Sequence, residues 1–174
     1  MHERIVASRW IEAGLMLGES PRWDAAYERW IWVDIAAGKV FTREDASGEI
    51  RNWSPGRHVS LALPESRNHL LIAQQGGISF LDLQTGETSP VTDMGITWKD
   101  LRCNDGAADA RGRLWIGTTA FDHCPGGGNL YVIDGDLRTE VRYPAVACSN
   151  GITWSPDGNT MYYTDSLAHT IVAF

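Results

Sequence analysis

The sequence has 174 residues, of which 43% are hydrophobic and 21% charged, which is the composition of a folded globular domain and excludes a disordered chain. The formal net charge is -7 and there is no basic cluster, so we expect no nucleic-acid partner. No apolar run approaches the roughly 18 residues of a membrane helix, and the first thirty residues lack a secretory leader pattern. We therefore expect a cytoplasmic protein without a membrane partner.

Two residue counts indicate the fold class. The chain contains 8 Trp and 18 Gly, a combination that suits short strands with bulky residues on their faces and glycine in their turns. The three cysteines, Cys103, Cys124 and Cys148, include no Cys-x-x-Cys pair, so we expect reduced packing residues rather than disulfides or a zinc knuckle. The first prediction is an all-β fold.

Short apolar runs bounded by Gly, Asp, Asn and Pro recur along the chain, and no helical period is sustained. They predict four hairpins in chain order: 29–35 with 39–42, 70–73 with 78–83, 113–117 with 129–133, and 161–164 with 170–174. Another short segment precedes each hairpin, and these segments begin at Glu19, Ser60, Asn104 and Asn150. Successive starts are 41, 44 and 46 residues apart, which is a repeat.

A period of this length with several strands in each unit is typical of β-propeller blades. Residues 1–174 contain about four units, the last of which stops within its third predicted strand, and an opening strand at residues 5–10 has no predicted partner. We therefore predict a partial propeller whose C-terminal blades lie beyond Phe174. A closed four-bladed ring is the alternative.

Glu19, Asn104 and Asn150 share one phase of the repeat, at the start of the strand that lines the central channel of a propeller. Glu19 lies 15 residues before Asp34 and Asn150 lies 15 before Asp165, so these two residues are equivalent. Carboxylate and amide oxygens suit calcium, magnesium or manganese, and zinc is a further candidate. Alone, each asparagine is also typical of a turn. A hard cation needs more oxygens, so another acid is expected.

Two further residues are candidates at the same channel mouth. Arg102 lies two residues before Asn104, and its guanidinium suits a ligand rich in oxygen. Asp122 follows the strand that ends near Thr119, in a loop that could cover the site. A surface ion pair is the alternative for Arg102, and an ordinary loop acid is the alternative for Asp122.

The strings LGESPRWD, RCNDGAADARGRLWIGT and SNGITWSPDGNTMYYTDS, in this order and spacing, resemble the senescence marker protein 30 and gluconolactonase family, which includes regucalcin and bacterial sugar lactonases. The resemblance implies a six-bladed propeller that binds one divalent metal ion and hydrolyses sugar lactones to aldonic acids. It implies that Glu19 and Asn150 are metal ligands and that Arg102 and Asn104 bind substrate. Asp122 lies where some members have an acid that contacts substrate.

The family's third metal ligand, an aspartate that also acts as general base, lies one blade further on and is not found in these 174 residues. By the repeat it is expected near position ~195. No catalytic residue is therefore assigned here, and residues 1–174 alone are expected to be inactive. The metal is expected to activate the lactone carbonyl as a Lewis acid. There are two alternatives. One is a propeller that binds calcium or a small ligand without catalysis, and the other is a propeller that binds only protein.

Overall fold

The computed structural model describes residues 5–174, which form fifteen antiparallel β-strands and no helix, and therefore no helix that could span a membrane. The first sheet contains β1 (Gly18–Asp24), β2 (Arg29–Asp34), β3 (Lys39–Glu44) and β4 (Ile50–Trp53). The second contains β5 (Leu61–Pro64), β6 (His69–Gln74), β7 (Gly77–Asp82) and β8 (Thr88–Thr92). The third contains β9 (Leu101–Ala108), β10 (Leu114–Ala120), β11 (Gly128–Ile133) and β12 (Thr139–Val146). The fourth contains β13 (Ser149–Trp154), β14 (Met161–Asp165) and β15 (Thr170–Ala173).

These sheets are the repeating units that the sequence predicts. In each sheet the strands pair in chain order, and the four predicted hairpins are β2–β3, β6–β7, β10–β11 and β14–β15. Glu19, Asn104 and Asn150 lie on the first strand of their sheets, and Ser60 directly precedes β5. The prediction of an all-β propeller is confirmed.

The core consists of three apolar clusters, each of which joins consecutive sheets. Val33 and Ile72 belong to the cluster between the first two sheets, and Ile116 belongs to the next one. Tyr163, which is fully buried, belongs to the cluster between the third and fourth sheets. Within residues 5–174 no cluster packs the fourth sheet against the first, so the described chain does not form the closed four-bladed ring of the alternative prediction.

The prediction of an opening strand at residues 5–10 is wrong, because residues 5–17 form no strand. A strand needs the hydrogen bonds of a neighbour, and no described sheet pairs with this segment. Ile5 is 91% exposed, whereas Trp10 packs edge-on against Trp30 and lies under the guanidinium of Arg43. Side-chain contacts with the first sheet therefore replace strand pairing here.

Two buried aspartates occupy equivalent places in the first and fourth sheets. Asp34, at the end of β2, accepts backbone hydrogen bonds from Met16 (2.8 Å), Leu17 (3.1 Å) and Ala37 (3.1 Å). Asp165, at the end of β14, accepts them from Ala147 (2.8 Å), Cys148 (2.9 Å) and Ala168 (3.3 Å). The donors lie at identical sequence offsets from the two carboxylates. Each aspartate thus fixes the chain just before the first strand of its own sheet.

These hydrogen bonds predict a pH dependence of stability. Burial would raise the pKa of Asp34, but backbone hydrogen bonds, that of Met16 first, hold it below its ordinary value. A depressed pKa in the folded state contributes stability above the unfolded pKa of about 3.9, and this contribution is lost as the pH falls through the folded pKa. Asp34→Asn should therefore lower the free energy of unfolding at pH 7 by about 1–3 kcal/mol and flatten its fall below about pH 4.

Denaturant unfolding of the intact protein between pH 3 and 7 measures both effects. Asp136→Asn is a matched control, because that side chain is 72% exposed. An unchanged pH profile in Asp34→Asn would show that its carboxylate does not stabilise the fold.

Candidate metal and substrate site

Three of the four sheets carry a β-bulge at the position that the sequence singles out. The pairing register shifts between Glu19 and Arg22 in β1 and between Asn150 and Ile152 in β13. In β9 the shift lies between Cys103 and Gly106, so it spans Asn104 and Asp105. Each shift inserts one extra residue, whereas β5 pairs with β6 without interruption. A bulge redirects the side chains beside it, so these three strands differ from the second sheet where the candidate ligands lie.

The bulges of β1 and β13 have the same backbone conformation. Ser20, which follows Glu19, has φ 53°, and Gly151, which follows Asn150, has φ 46°. Glycine adopts this left-handed conformation without strain, whereas serine does so at a cost. At Gly151 a Cβ atom would also lie 2.9 Å from the Thr164 hydroxyl. The Asn150-Gly151 pair, which alone is typical of a turn, thus forms a bulge inside a strand.

One residue of each bulge, Ser20, Asp105 or Gly151, lines a cleft of about 410 Å³, whereas the adjacent Glu19, Asn104 and Asn150 are not among the described residues of its wall. Burial lowers the pKa of Arg102 and raises that of Cys148, and the charge of Glu19 adds a smaller upward influence on both. Glu19 therefore acts on two residues near the start of the third and fourth sheets. The structure therefore brings together Glu19, Arg102, Asn104 and Asn150, which are up to 131 residues apart in sequence.

Asn150 is held in one orientation. Its amide Nδ2 donates a hydrogen bond to the Ser166 hydroxyl at 3.0 Å, and its Oδ1 accepts one from the Gly151 N–H at 3.1 Å. The Gly151 N–H can only donate, so it fixes which end of the amide carries oxygen, and the Ser166 hydroxyl accepts from the other end. An oxygen with a free lone pair is therefore present beside the cleft. Ser166 was not singled out by the sequence, although it directly follows Asp165.

Arg102 and Asn104 form a hydrogen-bonded link between the third and fourth sheets. The guanidinium of Arg102, which is buried, donates to Asn104 Oδ1 at 2.6 Å. Asn104 Nδ2 in turn donates to the backbone carbonyl of Ser149 at 2.7 Å, next to Asn150. Burial lowers the pKa of Arg102, and Cys148, Cys103 and Glu19 act in the opposite direction. Asn104 thus positions Arg102 and the start of β13 relative to each other.

Cys148 also lies at this site, although the sequence indicated only a packing residue. Its Sγ lies 3.7 Å from Asn104 Nδ2, and its side chain also contacts Thr119. Burial is the main cause that raises the pKa of this thiol. The thiol is therefore protonated at neutral pH, and a protonated thiol is a poor nucleophile and a poor metal ligand.

Asp122 is held within its own turn. It is exposed in the turn after β10, and its Oδ1 accepts a hydrogen bond from the Cys124 N–H at 3.0 Å. That hydrogen bond is the first cause that lowers the pKa of Asp122. The carboxylate therefore stabilises its own turn. The substrate contact expected of Asp122 stays a prediction.

The oxygen donors of Glu19 and Asn150 fit a hard divalent cation in kind but not in number. Glu19 is exposed and forms no ion pair within residues 5–174, so its carboxylate is available. Asn150 adds one amide oxygen. In the same part of the chain, no three His, Cys, Asp or Glu side chains are grouped as a metal site requires. A cation bound here would take further oxygens from water and from another acid.

A β-propeller with polar side chains converging on its channel is the class of protein that this structure defines. Residues 17–174 match the family described as SMP-30/Gluconolactonase/LRE-like region, so the chain belongs to that family.

Individual relatives agree with this assignment. The chain is 29% identical over 161 residues to a 6-deoxy-6-sulfogluconolactonase of Pseudomonas putida, covering 91% of this chain and 55% of the relative. It is 33% identical over 165 residues to the regucalcin of Bos taurus, and the match covers 90% of this chain and 54% of the relative. The solved structure of a calcium-binding protein, regucalcin, from Agrobacterium tumefaciens superposes with a TM-score of 0.83 at 26% identity. The superposition covers 91% of this chain and 54% of that structure. The chain thus spans about half the length of the curated relatives it matches.

The hydrogen bonds of Asn104 lead to a prediction about stability. Asn104→Ala removes the acceptor of Arg102 and the donor to Ser149, and it leaves a buried guanidinium short of one partner. The free energy of unfolding should therefore fall by about 1–3 kcal/mol. Chemical denaturation of the intact protein measures this loss. Asn52→Ala is the matched control, because Asn52 is an exposed residue of β4. Equal stability of the two variants would contradict the proposed link.

Proposed function

We propose that the intact protein is a metal-dependent lactonase that opens sugar lactones to aldonic acids. One observation carries the proposal: an unpaired carboxylate at Glu19 and a fixed amide oxygen at Asn150 occur on equivalent bulges beside one cleft. Oxygen donors in this arrangement suit a hard divalent cation. Relatives named for gluconolactonase activity support the substrate class.

Glu19 and Asn150 would hold the cation, with water and an acid outside residues 1–174 as the other ligands. Bound there, a divalent cation supplies Lewis-acid polarisation of a carbonyl oxygen. The ion would be calcium, zinc, manganese or magnesium. The Glu19 carboxylate supplies the negative charge. The hydrogen bond from the Gly151 N–H orients Asn150 Oδ1 and leaves its second lone pair for a cation.

Arg102 and Asn104 would bind the hydroxyl groups of the sugar. Arg102 donates through one guanidinium nitrogen to Cys103 and Asn104, so its other N–H groups are left for a ligand. The carboxylates of Asp109 and Asp165 each accept several backbone hydrogen bonds that lower their pKa, against the effect of burial. Neither is suited to remove a proton from water. The general base is therefore proposed to be the expected further aspartate, and residues 1–174 alone are proposed to be inactive.

A propeller that binds calcium or a small ligand without catalysis is the second candidate. Near the bulges of β9 and β13, the carboxylates of Asp105 and Asp165 both accept backbone hydrogen bonds, which agrees with a site that binds without catalysis. The name of one structural relative, a calcium-binding protein, agrees with it. Hydrolysis of aldonolactones by the intact protein, followed by pH-stat titration with each metal added, distinguishes the two functions.

Glu19→Gln tests the metal site with an isosteric, neutral side chain. Because Glu19 supplies the charge among the proposed ligands on this chain, affinity for calcium, zinc and manganese should fall by more than about 100-fold. Calorimetry on the intact protein measures the affinity. Glu12→Gln is the control, since Glu12 is exposed and pairs with Arg9. Unchanged affinity in Glu19→Gln would remove Glu19 from the site.

Arg102→Ala tests the division of roles. If Arg102 binds substrate, the KM for lactone should rise by about tenfold or more while metal affinity stays close to that of the natural protein. Arg102→Lys keeps the charge but not the planar fork of donors, and it should show a smaller rise. Loss of metal binding in a folded Arg102→Ala protein would instead make Arg102 a support of the metal site.

A further inference from the structure

A second pocket, of about 510 Å³, lies between the second and third sheets. Its walls are apolar and include Leu63, Leu71 and Phe80 from the second sheet and Leu114 and Ile133 from the third. Leu63, Leu114 and Ile133 also belong to the core cluster between these two sheets, so the pocket is an open part of that cluster. The volume lies in the range of small-molecule sites.

Arg22, on β1, closes one end of this pocket. It also lines the cleft of about 410 Å³ beside the three bulges. It is half-buried, and its Nε is fully buried without a hydrogen-bond partner. Within residues 5–174 the guanidinium forms no ion pair either. Burial lowers the pKa of Arg22 and the charge of Asp105 raises it, but a guanidinium stays protonated in both cases.

The chemistry of Arg22 favours an anionic ligand. The half-buried guanidinium makes no side-chain hydrogen bond within residues 5–174, and a carboxylate can accept from two of its N–H groups at once with matching geometry. The adjoining walls offer apolar contact and few other polar groups. A ligand that fits both features has one charged oxygen group and one apolar chain.

The exposed rim of the pocket has two notable features. Leu137 has φ 62° and is 49% exposed, so an apolar side chain is held outward by a strained turn. Glu65 and Asp134 also lie at the rim, and the Asp134 carboxylate accepts hydrogen bonds from the N–H groups of Asp136 and Arg138, both at 2.9 Å. The rim is therefore apolar and negatively charged, and it disfavours a second acid on the ligand.

We propose that this pocket binds an amphipathic monocarboxylate, with its carboxylate on the Arg22 guanidinium and its alkyl chain along the walls toward Leu137. This site does not depend on the proposed lactonase function. Its ligand is recognised by one carboxylate, an unbranched apolar chain and the absence of a second charge.

A series of small ligands tests the proposal by calorimetry on the intact protein. Hexanoate, octanoate and decanoate should bind with affinity that rises roughly three- to fourfold for each methylene added. Octanol, which lacks the carboxylate, should bind more weakly than octanoate. Decanedioate should bind more weakly than decanoate, because its second carboxylate meets the acidic rim.

Two variants test which residue contacts each end of the ligand. Arg22→Met should remove the preference for octanoate over octanol, whereas Arg142→Met, which alters an exposed arginine of β12, should leave it unchanged. Leu137→Gly should weaken decanoate more than hexanoate, and it should also raise the stability of the protein by relieving a left-handed backbone. Opposite changes in binding and stability are not expected of a merely structural residue.

The proposal is overturned if octanoate and decanoate do not bind the intact protein, or if affinity does not depend on chain length. It is also overturned if folded Arg22→Met keeps the preference for the carboxylate. Should Arg22→Met fail to fold, the comparisons of octanoate with octanol and of decanoate with decanedioate still decide the outcome on the natural sequence.

Discussion

The backbone hydrogen bonds to Asp34 and Asp165 fix where β1 and β13 begin, and the geometry of the candidate site depends on those two starting points. A strand held at its start cannot slip against its neighbour, and a slip of one residue would turn every side chain to the other face. The bulges therefore occur at the same place in both sheets. Two acids that accept backbone hydrogen bonds thus help to determine where Glu19 and Asn150 lie.

Apolar contacts and polar contacts have different roles in joining the sheets. The apolar clusters hold consecutive sheets together but do not specify side-chain orientation at the channel. The link from Arg102 through Asn104 to Ser149 supplies that orientation between the third and fourth sheets. Between the second and third sheets, part of the apolar cluster is open and lines a pocket. Side-chain orientation at the channel is thus specified where polar groups form hydrogen bonds between sheets.

The sequence predicted the features that depend on local pattern and spacing. The repeat identified the sheets, and the shared distance of 15 residues to Asp34 and Asp165 paired Glu19 with Asn150. It did not predict the bulges, because Pro21 and Gly151 are equally compatible with turns. The roles of Cys148 and Ser166 depend on contacts between strands, which no local pattern encodes. The strand expected at residues 5–10 has suitable residues but no neighbouring edge, and pairing is a tertiary property.

The left-handed residue of the bulge is serine in the first sheet and glycine in the fourth. The two bulges have the same shape but different conformational energy, since a left-handed L-residue costs roughly 1–2 kcal/mol more than glycine. The surrounding contacts must offset this cost at Ser20, whereas at Gly151 they need not. The bulges of β1 and β13 therefore share a left-handed backbone but differ in conformational energy. Relaxation of the left-handed backbone therefore releases more strain beside Glu19 than beside Asn150.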